Sequence, residues 1–528
     1  QLRNKGRLFE RGAFYEPEVL SVEDLTLLSQ VVAEESETSD GERVRLLTRE
    51  QFVDEILYGS GRDVGAQIVG FNLPFDISRL AIDHASARRS MRGGFSFKLS
   101  EKEGRANVAI KHLSQKAALI RFTGEKPEEA EDEAAEIDPD AFHESELPAD
   151  PDRGYFVDVK TFAAALTSSS HSLASLSELL DVPTKKTESE EHGGPLTPDY
   201  VRYGLRDVQT TWECFDALAR RLASFGLDET GPYDLYSEAS LGKAYLKTMK
   251  IARWRELQPG FPPQMMGQIL SAYYGGRAEV HIRRQIVPVI HCDFLSMYPT
   301  VCTLMGLWDF VRARGVIYRE DTERVQALIE TPREELAEQL RHKPIWSELT
   351  TLVQVAPNRD LFPIRAKYPD AATANIGLNE LSSDDPFWFT LADVLAAKVL
   401  TGRTPTILKA IRFDPKGKQA GLKPVVVTGE TIDPTTQDFY RQLIIHRNKL
   451  KAEAKSATGA TKSALESDQQ AIKILANATS YGIFVELNVE DYKTAKTMIA
   501  NGAEGQAFKF RSKSFEKPGN IFTRYSAR

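Results

Sequence analysis

The sequence predicts an α/β protein of several domains, and three observations carry that expectation. At 528 residues the chain exceeds what one hydrophobic core supports, so three or four domains are expected. Over residues 1–230 short apolar runs alternate with amphipathic helical patterns. Over residues 434–487 two long helical patterns follow one another.

The elements read in order as follows. VGAQIVGF at 64–71 is a short apolar run closing in turn chemistry, expected as a buried strand. Residues 107–122 alternate as a strand pair, and residues 155–159 read as a further strand. Helices are expected over 172–180 and 198–223, the second opening with Thr197 as N-cap and Pro198 in the first position. A second unit, residues 231–310, holds a helix over 237–249, a break at Gly275-Gly276 and an apolar strand over 287–295 carrying Asp293. Residues 311–430 are least legible, helical in composition at 320–342 and strand-like at 424–428. Residues 431–487 read as a helical hairpin parted by small, polar residues at 456–460, and residues 488–528 complete the chain.

Charge bounds the partners. The net charge of −8 hides a concentrated source, because residues 125–152 hold 13 acidic residues and one basic. The remainder carries 66 basic and 62 acidic residues. A run so acidic and poor in apolar residues is expected to be a solvated, disordered insertion. Net charge therefore does not exclude a nucleic-acid partner, since the local field along a groove decides binding. Three widely spaced cysteines (Cys214, Cys292, Cys302) make neither a disulfide framework nor a zinc site, which favours a reducing, cytoplasmic setting. No apolar stretch reaches the roughly 18 residues of a membrane span. The first residues show no signal-peptide pattern and no initiator Met, which suggests a start further upstream.

Four constellations could carry chemistry. GFNLPFD at 70–76 ends the first expected strand, and YGLRD at 203–207 lies on a helix with Tyr203 and Asp207 one turn apart on one face. Carboxylates from two such elements could share divalent metals while the tyrosine hydroxyl orients a water. Taken singly, each Asp is more often a surface or turn residue. HCDFLSMYPT at 291–300 places a carboxylate at a strand end before a turn and an aromatic ring, which suits Mg²⁺ and a triphosphate. On the helical hairpin, Arg447 and Lys451 share a face of the first arm, as Lys473 and Asn477 do on the second. Such cations could cradle a polyphosphate, although most pairs of this kind are solvated. Tyr481-Gly482 would allow close approach to a base pair.

Together these residues resemble the family B DNA polymerases, in motif order as well as content. Asn72, Phe75 and Asp76 are similar to the family's second exonuclease motif, and Tyr203 and Asp207 to its third. Tyr273, Gly275 and Gly276 are similar to the Tyr-x-Gly-Gly element that touches template. Asp293 to Thr300 resembles motif A, with Asp293 as metal ligand and Tyr298 as sugar gate. Arg447 and Lys451 resemble the basic pair of the fingers, and Lys473 and Asn477 resemble motif B, followed by Tyr481 and Gly482. The resemblance implies a ribonuclease H-like exonuclease domain over 1–230, a palm beginning at 231–310 and continuing with an insertion through 311–430, fingers over 431–487 and a return to the palm over 488–528, with no thumb. It implies primer extension with deoxynucleoside triphosphates on template DNA, and 3′–5′ hydrolysis of the primer end. Each site would use two Mg²⁺ ions, or Mn²⁺ in their place.

Three departures set limits on the resemblance. Nothing in residues 1–60 fits the family's first exonuclease motif, Asp-x-Glu, on a convincing strand, and motif C, Asp-Thr-Asp, is missing after Gly482. Truncation at both ends is the simpler explanation, and a fragment of this kind is expected to be inactive alone. Tyr481 also follows Asn477 by four residues instead of three, which suggests a π-bulge between them. The rival readings are a protein-primed polymerase working with a terminal protein, a split enzyme needing a second polymerase chain, and an inactive DNA-binding scaffold. A stand-alone nuclease leaves 273–482 unexplained.

Overall fold

The structure is a computed structural model that describes residues 1–37, 43–88, 91, 93–123, 154–187, 194–252, 254–272, 282, 285–294, 296–366, 375–480, 488–500 and 507–515. The acidic run at 125–152 and the residues Tyr273, Gly275, Gly276, Tyr481 and Gly482 lie outside that set. The fold is mixed α/β, with several small sheets. Two compact units emerge. The first comprises Gln1–Tyr245, Val426–Glu430 and Glu453–Thr479, the second Leu246–Val425, Thr431–Ala452 and Ser480–Arg528. Among the described residues no helix is long and apolar enough to cross a membrane, and the three cysteines are free.

In the first unit, Arg7–Tyr15 pairs antiparallel with Leu2–Asn4 and parallel with Arg43–Thr48, the parallel crossover being the helix Val22–Glu37. A four-stranded antiparallel sheet runs Asp83–Ser86, Phe95–Lys98, Val108–His112 and Ala118–Phe122. Its last two strands form the pair expected at 107–122, because Val108 and Ile110 alternate onto a core with Tyr58, Leu73, Ile77 and Phe122. The run at 64–71 yields only Gln67–Gly70, partly exposed instead of buried. Among the described residues it pairs with a single strand, Tyr155–Asp158, and so stays at an edge. Thr197 Oγ1 accepts from Tyr200 N at 3.1 Å, so the helix Pro198–Ala223 begins where its cap and proline place it. A π-helical stretch, Phe52–Asp63, has no signature that pattern reading detects. Gly61 lets this stretch pack closely on Ile68, since a Cβ there would stand 2.5 Å from Ile68 Cδ1.

In the second unit, Gly315–Glu320, Thr406–Lys416, Thr351–Ala356 and Phe387–Thr390 form one antiparallel sheet in that order. Helices Thr322–Glu330 and Leu391–Thr401 bury Val325, Val394 and Leu395 with Val353 and Phe389 of the sheet. Phe362 stacks on Phe389 at 4.1 Å. Lys398 is 5% exposed, and its ammonium donates to the Ile329 carbonyl near the end of Thr322–Glu330, where a cation suits the helix terminus. The helical composition at 320–342 resolves into two helices, because Pro332 precedes Arg333–Gln339 and cannot continue the first.

One expectation is overturned here. Residues 286–294 form no strand, and Ile286, Val289 and Ile290 are exposed. An apolar run becomes a strand only when a neighbour completes its ladder, and no described strand pairs with it.

Candidate functional site

In the first unit the candidate residues gather around the parallel pair. Gly70 faces Asp158 across the two strands. After Gly70 the chain turns through Asn72, held in the left-handed region at φ 66°, into the helix Leu73–Leu80. Gly70 suits this turn because a Cβ there would meet Leu73 Cδ2 at 2.5 Å. Asp158, which the sequence reading does not single out, joins the two strand-to-helix turns. Its Oδ1 accepts from Asn72 N at 2.7 Å and Leu73 N at 3.3 Å. Its Oδ2 accepts from Thr161 N at 3.2 Å and Thr161 Oγ1 at 2.6 Å, capping the helix Val159–Thr167.

Asp76 and Phe75 point outward from Leu73–Leu80, with the Arg79 guanidinium 4.9 Å above the Phe75 ring. Desolvation by the surrounding chain and, secondarily, the Asp158 charge push the Asp76 carboxyl up to about 6, although the residue keeps an open face to water.

Tyr203 and Asp207 lie on the long helix Pro198–Ala223, as their spacing implies. Lys186, also unforeseen, bridges them. Its ammonium donates to Tyr203 Oη at 2.6 Å and forms an ion pair with Asp207 Oδ2. Burial works against the ammonium charge, but the bonds to Asp207 and Tyr203 outweigh it, so Lys186 holds its proton more tightly than an ordinary lysine. Asp207 Oδ1 is buried without a hydrogen-bond partner.

In the second unit Asp293 sits on the exposed stretch just before Ser296. Ser296 is held at φ 44° and opens the helix Met297–Leu304, with Thr300 N bonding back to Ser296 O at 2.9 Å. Tyr298 is on the first turn, partly exposed. Arg447, 151 residues later, donates from Nη1 to Ser296 Oγ at 3.1 Å. Burial lowers its proton affinity and the Asp293 carboxylate opposes that. The helix carrying Arg447 and the exposed Lys451, Phe439–Ser456, is seated at its start by Trp308. The Trp308 ring packs 5.4 Å from Phe439 and 5.7 Å from Tyr440, and its Nε1 donates to Pro434 O at 3.2 Å.

Lys473 and Asn477 lie on the next helix, Gly459–Ser480, which belongs to the first unit through Thr479. That helix is seated at Gly242, where a Cβ would stand 3.2 Å from Ala478 and Thr479 backbone atoms. Lys473 is exposed while Ile472, Ile474 and Leu475 are buried. The helix is α-helical through Ser480, with no π-turn among the described residues. The bulge expected between Asn477 and Tyr481 reaches to Tyr481, which lies outside the described residues.

The structure thus brings together Asn72, Asp76 and Asp158, then Lys186, Tyr203 and Asp207, and separately Asp293, Ser296 and Arg447. Among the described residues no three His, Cys, Asp or Glu side chains gather into a metal-holding group. Comparison with family models, with curated proteins and with solved structures returns no match for this chain.

Proposed function

We propose that the chain belongs to a template-directed DNA polymerase of the family B type, adding deoxynucleotides to a primer 3′-hydroxyl, with an associated 3′–5′ exonuclease. The observation that carries the reading is the Arg447 contact on Ser296, which no local pattern requires. It sets a guanidinium beside Asp293 and the start of Met297–Leu304, where the Ser296 side chain makes no capping bond. A helix start with a neighbouring Arg fits a triphosphate, and Tyr298 on the first turn fits a sugar. Lys451 on the same helix would extend the nucleotide site, while Lys473 and Asn477 are assigned to nucleotide on the motif resemblance alone. Asn72 and Phe75 would take a primer end beside Asp76, Tyr203 and Asp207. Tyr273, Gly275, Gly276, Tyr481 and Gly482 are assigned to primer-template DNA on the motif resemblance alone.

The reading implies Mg²⁺ at Asp293 and at Asp76 and Asp207. The described donors fall short of such sites: Lys186 already holds Asp207, and no carboxylate group of three is present. A protein-primed variant, using a terminal protein, is the second reading, favoured by the self-contained core that occupies much of the interval between Met297–Leu304 and Phe439–Ser456.

Binding of a deoxynucleoside triphosphate tests the first reading. Titration calorimetry with Arg447→Ala should show roughly tenfold or greater weakening, the scale of a lost charge-assisted hydrogen bond. Equal affinity in the variant would remove Arg447 from the site.

A further inference from the structure

Lys186 reaches Asp207 from a short arm, residues 182–187, which lies outside any helix or strand. A long, flexible side chain on such an arm holds one position only if the backbone beneath it is fastened. Val182 is buried at the root of the arm, and its N–H bonds to Ser177 O at 3.2 Å. Further out, Glu213 takes Thr184 with both carboxylate oxygens. Thr184 N donates to Oε2 at 2.7 Å and Thr184 Oγ1 to Oε1 at 2.9 Å, while Gln209 Nε2 steadies Oε1 at 2.8 Å. Lys185 Nζ donates back to Ser177 O at 3.0 Å and Asp181 Oδ1 at 3.2 Å, so it cannot compete for Asp207.

Glu213 stands six residues beyond Asp207 on the same helix, about 9 Å along its axis. Two residues of extended arm, from Thr184 to Lys186, cover about 7 Å, and the lysine side chain supplies the rest. Both ends of the bridge are thus built on Pro198–Ala223, one through Glu213 and one through Tyr203 and Asp207.

We propose that Glu213 is a positioning residue. By clamping Thr184 it sets the Lys186 ammonium on the Tyr203 hydroxyl and the Asp207 carboxylate. Its consequence for catalysis rests on the nuclease reading given above. The bland alternative is that Glu213 only fastens a loop, in which case its loss would lower stability without acting through Lys186.

A double-mutant cycle on the full chain separates the two. The Gln amide of Glu213→Gln offers one acceptor oxygen where the carboxylate serves three donors, and turns an NH₂ toward a donor. Lys186→Met removes the ammonium. Degradation of a single-stranded DNA end with Mg²⁺ present is read for both variants, the double variant and Asp207→Ala, and the ¹⁵N ammonium resonance of Lys186 for the parent chain, Glu213→Gln and Asp207→Ala. Expected are a slowing of roughly tenfold or more in each single variant, no further slowing in the double, and a lost or displaced Lys186 resonance in Glu213→Gln. Slowing in the double equal to the product of the singles would overturn the proposal, as would an unchanged Lys186 resonance in a folded Glu213→Gln chain. If the parent chain degrades DNA no faster than Asp207→Ala, the nuclease reading fails instead. The clamp is then judged by the resonance alone. Thr184→Val, which removes one of its two bonds, should shift that resonance less than Glu213→Gln, and an equal or larger shift would count against the clamp.

Discussion

At the residue scale, the groups legible in the sequence are those whose partners lie on the same element. Tyr203 and Asp207 are one turn apart, and Asn72, Phe75 and Asp76 share one turn and one short helix. Asp158 and Lys186 escape that reading because their partners lie 86 and 17 to 21 residues away, on other segments. Asp158 in particular reads as a strand end, yet it accepts four hydrogen bonds and its charge bears on Asp76. Desolvation first, and that charge second, push the Asp76 carboxyl up from an ordinary 3.8 to about 6, so between those values the folded state binds more protons than the unfolded. Folding stability contributed by Asp76 therefore falls as pH rises through that window and stays low above it. Asp76→Asn should raise the melting temperature at pH 7.5 and change it little at pH 3.5. A rise of equal size at both values would show that charge on Asp76 is not the cause.

At the element scale, helices with explicit start signals are the most legible. Pro198–Ala223 begins at its Thr cap and proline, and Leu173–Leu179 at Ser172, because local bonding alone favours those starts. The apolar stretch before Asp293 carries strand composition, but a strand needs a ladder partner, and composition cannot supply one. The seat of Phe439–Ser456 is likewise invisible beforehand, since Trp308 lies 131 residues before Phe439. Trp308 is 2% exposed. Trp308→Ala should cost about 3–5 kcal/mol by chemical denaturation, and triphosphate affinity should fall with it because the helix carrying Arg447 loses its anchor. Trp308→Phe, losing chiefly the bond to Pro434 O, should cost about 1 kcal/mol. Equal losses in the two variants would place the effect in the hydrogen bond and not in the packing.

At the scale of the whole molecule, charge was readable before any fold. The −8 of the chain arises from residues 125–152, without which the balance is +4. The described residues flanking them lie close together, since a Cβ on Gly154 would lie 2.8 Å from the Phe122 ring. A short Gly-Ser linker from Thr123 to Gly154 in place of the acidic run should leave unfolding unchanged and strengthen single-stranded DNA binding at low salt, with the gain vanishing as salt is raised. Anisotropy titrations across a salt series measure this, and unchanged affinity at low salt would mean that the run does not shield the binding surface.

What the sequence determined by itself is local: helix starts, the strand pair at 107–122, the shared face of Tyr203 and Asp207, and the distribution of charge. Backbone bonding, capping and side-chain period act over a few residues, so they are written in neighbouring letters. The tertiary structure alone decided that Asp158 joins two turns, that Lys186 holds Asp207 under a clamp from Glu213, and that Arg447 meets Ser296. Each of these contacts forms only when packing brings distant segments within hydrogen-bond reach, and no spacing along the chain encodes that distance.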